Sequence, residues 1–164
     1  MTEIKLCRVD FRLMHGQVVT NWINQVSADS ILIIDDELAA DKFLAQVFLM
    51  AAPPGIKVAI RSIEKAIISF KNDVFQNKKM LILFKSVESA HKAIMLGLPI
   101  DKLQIGGLGS GTDKKMISNE LSIDEEEAKM LLEVADKHIS VTFQVTPKDS
   151  LINLNEVIHI LRNK

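Results

Sequence analysis

The sequence predicts an α/β fold with an open, mostly parallel central sheet and helices on both of its faces. Apolar segments of strand length alternate with amphipathic segments of helix length along most of the chain. The runs Ile31–Ile34 and Met80–Phe84 are continuously apolar, which is typical of strands that helices bury on both faces. No linker, low-complexity tract or repeat divides the 164 residues, so we expect a single domain over residues 1–164.

The first two thirds of the chain follow a regular βαβα order. Short apolar runs predict strands at residues 4–9, 30–35, 56–60, 79–84 and 102–105. Apolar residues spaced three and four apart predict a first helix on Val18, Val19, Trp22 and Val26, and a second on Leu44, Val47, Phe48 and Ala51. The second helix ends at Pro53-Pro54-Gly55, and further helices begin near Ser62 and Ser86.

The rhythm changes at the glycine-rich segment 106–111. Residues 116–121 predict a short irregular strand or a pair of strands. A helix follows, opened by a capping box that we place at residues 122–125, with a core face on Ala128, Leu131, Leu132 and Ala135. A strand at 140–145, a break at Pro147 and a last helix complete the chain, the helix burying Leu154, Val157, Ile158 and Leu161.

Composition excludes several broad classes of function. The 20 basic residues nearly cancel the 21 acidic ones, so the global charge favours neither a nucleic-acid coat nor a polybasic membrane anchor. The single cysteine, Cys7, lies in the first apolar run and indicates a reducing compartment. The N-terminus lacks the pattern of a signal peptide, and no apolar stretch is long enough to span a bilayer, so we expect a cytoplasmic protein.

The loop after the first strand concentrates polar residues that suit an anion. In an open parallel sheet, ligands bind beyond the carboxyl ends of the strands. This loop carries Arg8, Asp10, Arg12 and His15 immediately before a helix. The free N–H groups and positive dipole end of a helix attract phosphate, and arginine matches phosphate oxygens in pairs. The composition therefore predicts a phosphate site, although an Arg–Asp pair in such a loop is often only structural.

Within this loop, His15 is the candidate nucleophile. An imidazole titrates near neutral pH, so one ring nitrogen is free to attack phosphorus. Asp10 could accept a hydrogen bond from the other ring nitrogen and fix its tautomer, and Arg12 could stabilise the transferring charge. Gly16 leaves space for the phosphoryl donor to approach. We assign catalytic roles to His15, Arg12 and Asp10, and place the remaining candidates in or around the phosphate pocket: Arg8, Gly16, Gln17, Asp35, Gly106 and Gly107.

Other chemistry-bearing residues have simpler interpretations. Cys7 could serve as a thiol nucleophile, but its place in a core strand favours burial. His91, His138 and His159 fit packing or helix-end positions, and no pair of histidines has a metal-ligand spacing. Asp35 and Asp36 could hold magnesium; we prefer a helix cap from Asp36 and a pocket-edge role for Asp35.

The glycine run 106–111 also permits more than one interpretation. It could form a nucleotide-binding loop, but it lacks the G-K-[ST] ending of a P-loop and does not fit G-x-G-x-x-G at the start of a helix. We therefore expect a flexible wall of the phosphate pocket.

Residues 8–18, Arg-Val-Asp-Phe-Arg-Leu-Met-His-Gly-Gln-Val, resemble a family's active-site segment. Its form R-[IV]-D-x-R-L-x-H-G-Q-V is that of the IIB subunits of the mannose/fructose/sorbose family of the sugar phosphotransferase system (PTS). Residues 35–39, 52–58, 105–107 and 117–118 also resemble segments of these subunits. Two departures stand out: Phe11 replaces the usual acidic residue, and residues 104–108 replace the family's N-V-G-G-M.

The resemblance implies a function. His15 would accept phosphate from a phosphohistidine on the IIA protein and pass it to a sugar entering through the IIC and IID membrane subunits. These subunits would recruit the protein to the inner face of the membrane, and the chemistry requires no metal or other cofactor. The sugar, the phosphorylated imidazole nitrogen and any homo-oligomer stay undetermined. Two rival functions stay open: a non-catalytic anion-binding or regulatory module, and a nucleotide-dependent enzyme built on the glycine loop.

Overall fold

A computed structural model describes residues 2–163 of the chain. Its strands are β1 (Glu3–Asp10), β2 (Ser30–Ile34), β3 (Lys57–Arg61), β4 (Lys79–Phe84), β5 (Lys102–Gly107), β6 (Lys115–Ser118), β7 (Leu121–Ile123), β8 (Ser140–Phe143) and β9 (Ile152–Asn153). Its helices are α1 (Gly16–Val26), α2 (Asp36–Ala40), α3 (Lys42–Met50), α4 (Ile63–Lys71), α5 (Val87–Met95), α6 (Glu125–Ala135) and α7 (Leu154–Arg162).

The central sheet confirms the predicted α/β architecture. Its seven strands lie in the order β3-β2-β4-β1-β5-β8-β9, and β6 pairs with β7 in a separate antiparallel ribbon. All neighbouring strands of the central sheet are parallel except β8 and β9. The carboxyl ends of β2, β4, β1 and β5 therefore meet along one edge, which positions the candidate site.

Each face of the sheet is buried under helices, as the continuous apolar strands predict. In β2, Leu32 and Ile34 belong to a larger apolar cluster on one face, whereas Ile31 and Ile33 belong to a smaller cluster on the other. This division follows from the alternation of side chains along a strand. Helices α4 to α7 supply the larger cluster, and α1 supplies Val19 and Ile23 to the smaller one.

Helix α3 exists where its spacing predicts it, but its apolar pattern does not mark a buried face. Leu44 and Val47 are exposed, and only Ala45 and Phe48 pack against the smaller cluster. The short helix α2 precedes it, and the apolar spacing of the sequence does not predict it as a separate element. With two short helices placed between β2 and β3, α3 lies at the margin of the sheet, where the core covers little of it.

The capping box of α6 is displaced from the predicted position. Asp124 is the N-cap residue: its Oδ1 accepts a hydrogen bond from the Glu127 backbone N–H at 2.7 Å, and the Glu127 side chain accepts from the Asp124 N–H at 3.1 Å. Ser122 instead lies buried in β7. The aspartate is preferred because residues 121–123 are already committed to the ribbon.

None of the helices within residues 2–163 is both long enough and apolar enough to traverse a bilayer.

Candidate functional site

The site is built on the end of β1 and the start of α1. Strand β1 ends at Asp10, and the chain turns so that the Leu13 N–H donates to the Asp10 carbonyl oxygen at 2.9 Å. Leu13 takes a left-handed conformation with φ of 57° and buries its side chain in the smaller cluster. This turn leads directly to His15, the N-cap residue of α1.

His15 lies at the surface, at the positive end of α1. Its side chain is exposed and does not cap the helix. Among the described residues, the Gly16 and Gln17 N–H groups have no hydrogen-bond acceptor. Gly16 has φ of 45°, and a Cβ there would meet no atom within 4 Å. The imidazole, two free N–H donors and open space therefore adjoin one another, as an incoming phosphoryl group requires.

Asp10 and Arg12 form a two-point ion pair in which the aspartate is buried and the arginine is partly exposed. Arg12 Nε and Nη2 lie 3.0 and 3.1 Å from the two Asp10 oxygens, and the Arg12 backbone N–H also donates to Oδ1 at 3.0 Å. Asp10 is only 1% exposed. The hydrogen bond to Asp10 raises the pKa of Arg12, against the opposing effect of burial, so the guanidinium is firmly charged.

The predicted hydrogen bond between Asp10 and the His15 ring is not formed. Within residues 2–163, the Asp10 carboxylate bonds to Arg8 and Arg12 and not to His15. Two arginines that flank the aspartate in sequence both turn toward it, because a buried carboxylate needs cationic partners. Asp10 therefore orients Arg12 rather than the imidazole.

Arg8 is buried within the sheet, whereas the sequence predicts it in the phosphate pocket. It is 2% exposed. Its guanidinium donates to the Gln104 side chain, to the Gln144 carbonyl at 2.9 Å and to the Val145 carbonyl at 2.6 Å, and lies 3.4 Å from Asp10. Burial lowers the pKa of Arg8 to about 10, while Asp10 acts to raise it, so the group is cationic at neutral pH. With its donors directed to buried partners, it ties β1 to β5 and β8.

Gly106 and Gly107 do not form a flexible pocket wall. Both are buried in β5, where the β1 register sets Arg8 opposite Gln104 and Asp10 opposite Gly107. A Cβ at position 106 would lie 1.9 Å from the Arg8 guanidinium carbon, and one at 107 would lie 2.7 Å from Asp10 Oδ1. These glycines are needed because the two charged side chains cross the strand at close range.

The helix cap predicted at Asp36 is supplied to α2 by Asp35 instead. Asp35 caps α2, its Oδ2 accepting from the Leu38 N–H at 2.9 Å, while Asp36 Oδ1 accepts from the Ile63 N–H at 2.8 Å. Asp35 also lines a cavity beside Phe11 and Arg12, so its pocket-edge position is retained. Among residues 2–163, no cluster of three or more histidine, cysteine or acidic side chains could hold a metal ion.

The remaining candidates take the simpler roles. Burial raises the pKa of the Cys7 thiol well above its ordinary range, which makes it a poor nucleophile. The His91 ring lies 3.2 Å from Glu133 and so links α5 to α6. His138 follows α6 in a left-handed conformation, and His159 lies in the last turn of α7.

Three further residues lie at the site, although their sequence context does not predict a place there. Gln104 binds the Arg8 guanidinium, and the Trp22 ring lies 5.1 Å from it while the Trp22 N–H donates to the Val145 carbonyl at 3.1 Å. Glu120 lies 3.5 Å from Arg12 Nη1. The strand register could have indicated Gln104, but nothing local to residue 120 marks it as a partner of the loop.

Comparison with known proteins places the chain in a family. Residues 4–164 match the family model of the PTS system sorbose subfamily IIB component. A sorbose-specific EIIB component of Lacticaseibacillus casei is 35% identical over 146 residues, covering 89% of each chain. The crystal structure of manxB from Thermoanaerobacter tengcongensis superimposes with a TM-score of 0.93 at 37% identity, covering 99% of each chain. A mannose-specific EIIAB component of Escherichia coli is 25% identical over 155 residues, which span 94% of this chain and 48% of that protein.

Proposed function

The chain belongs to the sorbose subfamily of PTS IIB components, and on that premise we propose that His15 carries the phosphoryl group. The group would come from a phosphohistidine of a IIA protein and pass to a sugar during uptake. Phosphotransfer in sugar uptake is the activity of the family. We propose, beyond that activity, that His15 is the carrier, that a IIA phosphohistidine is the donor and that a sugar is the acceptor.

The observation that carries the proposal is the exposure of His15 at the N-terminus of α1. The Gly16 and Gln17 N–H groups, which have no acceptor among residues 2–163, supply donors for phosphate oxygens, and the helix dipole favours the negative charge of those oxygens. Arg12 lies three residues before His15, with its guanidinium held by Asp10. Fixed donors aimed at developing charge are the main means by which proteins promote phosphoryl transfer.

The transfer proceeds in two half-reactions through the same ring nitrogen. In the first, a lone pair of the His15 imidazole attacks phosphorus, and the P–N bond to the donor histidine breaks with its electron pair staying on the donor nitrogen. In the second, a sugar hydroxyl attacks phosphorus, the P–N bond breaks with its electron pair returning to the His15 nitrogen, and the hydroxyl proton passes to water. Asp10 contributes by holding Arg12 in place, which corrects the role first assigned to it.

The phosphoryl donor and the sugar acceptor must each reach the exposed His15 in turn. The E. coli relative is named as an EIIAB component, which joins an A component and a B component, and this chain matches about half of that protein. We extend that association to this chain: a separate IIA protein delivers phosphate, and IIC and IID membrane subunits present the sugar, so that the protein works at the cytoplasmic face of the membrane.

The test is phosphate transfer between purified components. The chain is incubated with a phosphorylated IIA protein, and acid-labile phosphate bound to the chain is measured. We expect labelling of the wild type and none of His15→Ala, with His138→Ala as a matched control that labels normally. Release of the label on adding membranes that contain IIC and IID with a sugar would support the acceptor step. An unlabelled wild type would contradict the proposal.

A further inference from the structure

Arg12 is held by two carboxylates of different character. Asp10 is fully buried and engages Nε and Nη2. Glu120 engages the remaining nitrogen, Nη1, at 3.5 Å, and its side chain is 46% exposed. All three guanidinium nitrogens therefore face carboxylate oxygens in the unphosphorylated protein, and only the contact with Glu120 is at the solvent side.

The backbone fixes Glu120 beside the site. Glu120 has φ of 67°, a left-handed conformation that a residue with a long side chain rarely adopts. Its carbonyl accepts a hydrogen bond from the Leu108 N–H at 2.7 Å, one residue beyond β5, and Leu121 continues the contact through an isolated bridge with Leu108. The turn between β6 and β7 is thus anchored to the strand whose glycines accommodate Arg8 and Asp10.

A phosphoryl group on His15 would compete with Glu120 for Arg12. Both are anions, and both accept hydrogen bonds from a guanidinium. Asp10 cannot give way without leaving its buried charge with only the 3.4 Å contact to Arg8, whereas the exposed Glu120 side chain can rotate into water at small cost. The contact with Glu120 is therefore the one that a phosphate would displace.

We propose that Glu120 is a positioning residue that occupies the phosphate-binding nitrogen of Arg12 until transfer and lowers the stability of phosphohistidine 15. This inference rests on the proposed function. As the donor P–N bond breaks and the His15 P–N bond forms, Nη1 exchanges the Glu120 carboxylate for a phosphoryl oxygen. The competing charge keeps the phosphoryl group easy to pass on.

The equilibrium constant for phosphate transfer from IIA to this chain measures the effect of Glu120 on the stability of phosphohistidine 15. Phosphorylated IIA is mixed with the chain, and the ratio of phosphorylated to free species of both proteins is determined after the reaction has stopped changing. Because exposed ion pairs are weak, we expect Glu120→Gln to raise the equilibrium constant toward the phosphorylated chain by roughly two- to five-fold. We expect 1 M salt, which screens the same charge, to reduce the difference between variant and wild type.

Two comparisons separate this role from a structural one. Glu64→Gln removes an exposed charge on α4 and should leave the equilibrium constant unchanged. In an Arg12→Gln background, Glu120→Gln should lose its effect, because the competition requires the guanidinium. If Glu120→Gln folds poorly, Glu120→Asn provides the same neutralisation with a residue suited to positive φ, and the same increase is expected.

An equilibrium constant that is unchanged or lowered in both neutral variants would overturn the role of Glu120 while leaving the proposed function in place. An effect that persists in the Arg12→Gln background would overturn it as well. Absence of any label on the wild type would instead remove the proposed function and this inference together.

Discussion

The two oxygens of Asp10 hold Arg12 at two points, at 3.0 Å from Nε and 3.1 Å from Nη2. A lysine has a single ammonium group and cannot reproduce this two-point geometry. We therefore expect Arg12→Lys to slow phosphate transfer from IIA by roughly 10- to 100-fold, since a displaced cation stabilises the transferring charge poorly. Arg162→Lys, which changes an exposed arginine of α7, should leave the rate unaltered. The check is the initial rate of labelling, and equal rates for wild type and Arg12→Lys would remove the role of Arg12.

We expect replacement of Arg8 to lower the stability of the fold rather than to weaken phosphate binding. Arg8→Met would leave Asp10 buried with one cation fewer, the Gln144 carbonyl without its side-chain donor, and the Val145 carbonyl with the Trp22 N–H alone. We expect the free energy of unfolding to fall by about 3 kcal/mol. Urea denaturation measures it, and Arg162→Met should change it by less than about 0.5 kcal/mol. A stable Arg8→Met variant would contradict the structural role.

Gly106 and Gly109 form a matched pair for testing the close approach of Arg8. In Gly106→Ala, the new methyl group would collide with a guanidinium that its four partners hold in place, whereas at Gly109 the nearest atom is a Phe11 ring carbon at 3.9 Å. We expect Gly106→Ala to lower the free energy of unfolding by about 1–3 kcal/mol. Gly109→Ala should be neutral within about 0.5 kcal/mol. Equal effects in the two variants would refute the packing argument.

We expect the buried Cys7 thiol to make the folded protein less stable at alkaline pH. Burial raises the pKa of this thiol in the folded protein, so the folded state keeps a proton that the unfolded state loses above about pH 8.5. Stability linked to Cys7 is therefore complete below the unfolded pKa and falls as the pH rises above it. Urea unfolding of wild type and Cys7→Ala at pH 7 and pH 9.5 isolates this contribution. The decline should be smaller in Cys7→Ala, and identical declines would show that the thiol has no part in it.

The strands and most helices could be predicted because their signals are local. The run 79–84 forms β4 with the predicted bounds, and the spacing of Val19 and Trp22 marks the buried face of α1. Burial of α3 could not be judged from spacing, because Leu44 and Val47 are as apolar as core residues and only the position of the helix at the sheet margin leaves them exposed.

The residues of the site could likewise be predicted only where their signal is local to one segment. The positions of Arg12, His15 and Gly16 follow from one continuous segment. The partners of Arg8 could not be derived, because Gln144 and Val145 come from a distant strand end that only the folded sheet brings near. In sequence, Arg8, Arg12 and His15 are all near enough to bond to Asp10. Because the Asp10 carboxylate is buried, it pairs with the two arginines and not with the histidine. Glu120 reaches the site from a turn in which it adopts a left-handed conformation, and no glycine in its place marks that turn in the sequence.

The most direct test of the central claim is to locate the phosphate after transfer from IIA. Trypsin separates the four histidines into different peptides, and the peptide 13–42 contains His15 and no other histidine. After labelling, digestion and mass spectrometry at neutral to alkaline pH preserve the acid-labile bond. We expect a mass increase of one phosphoryl group on peptide 13–42 and on no other histidine peptide. Phosphate on the peptides of His91, His138 or His159, with 13–42 unmodified, would contradict it.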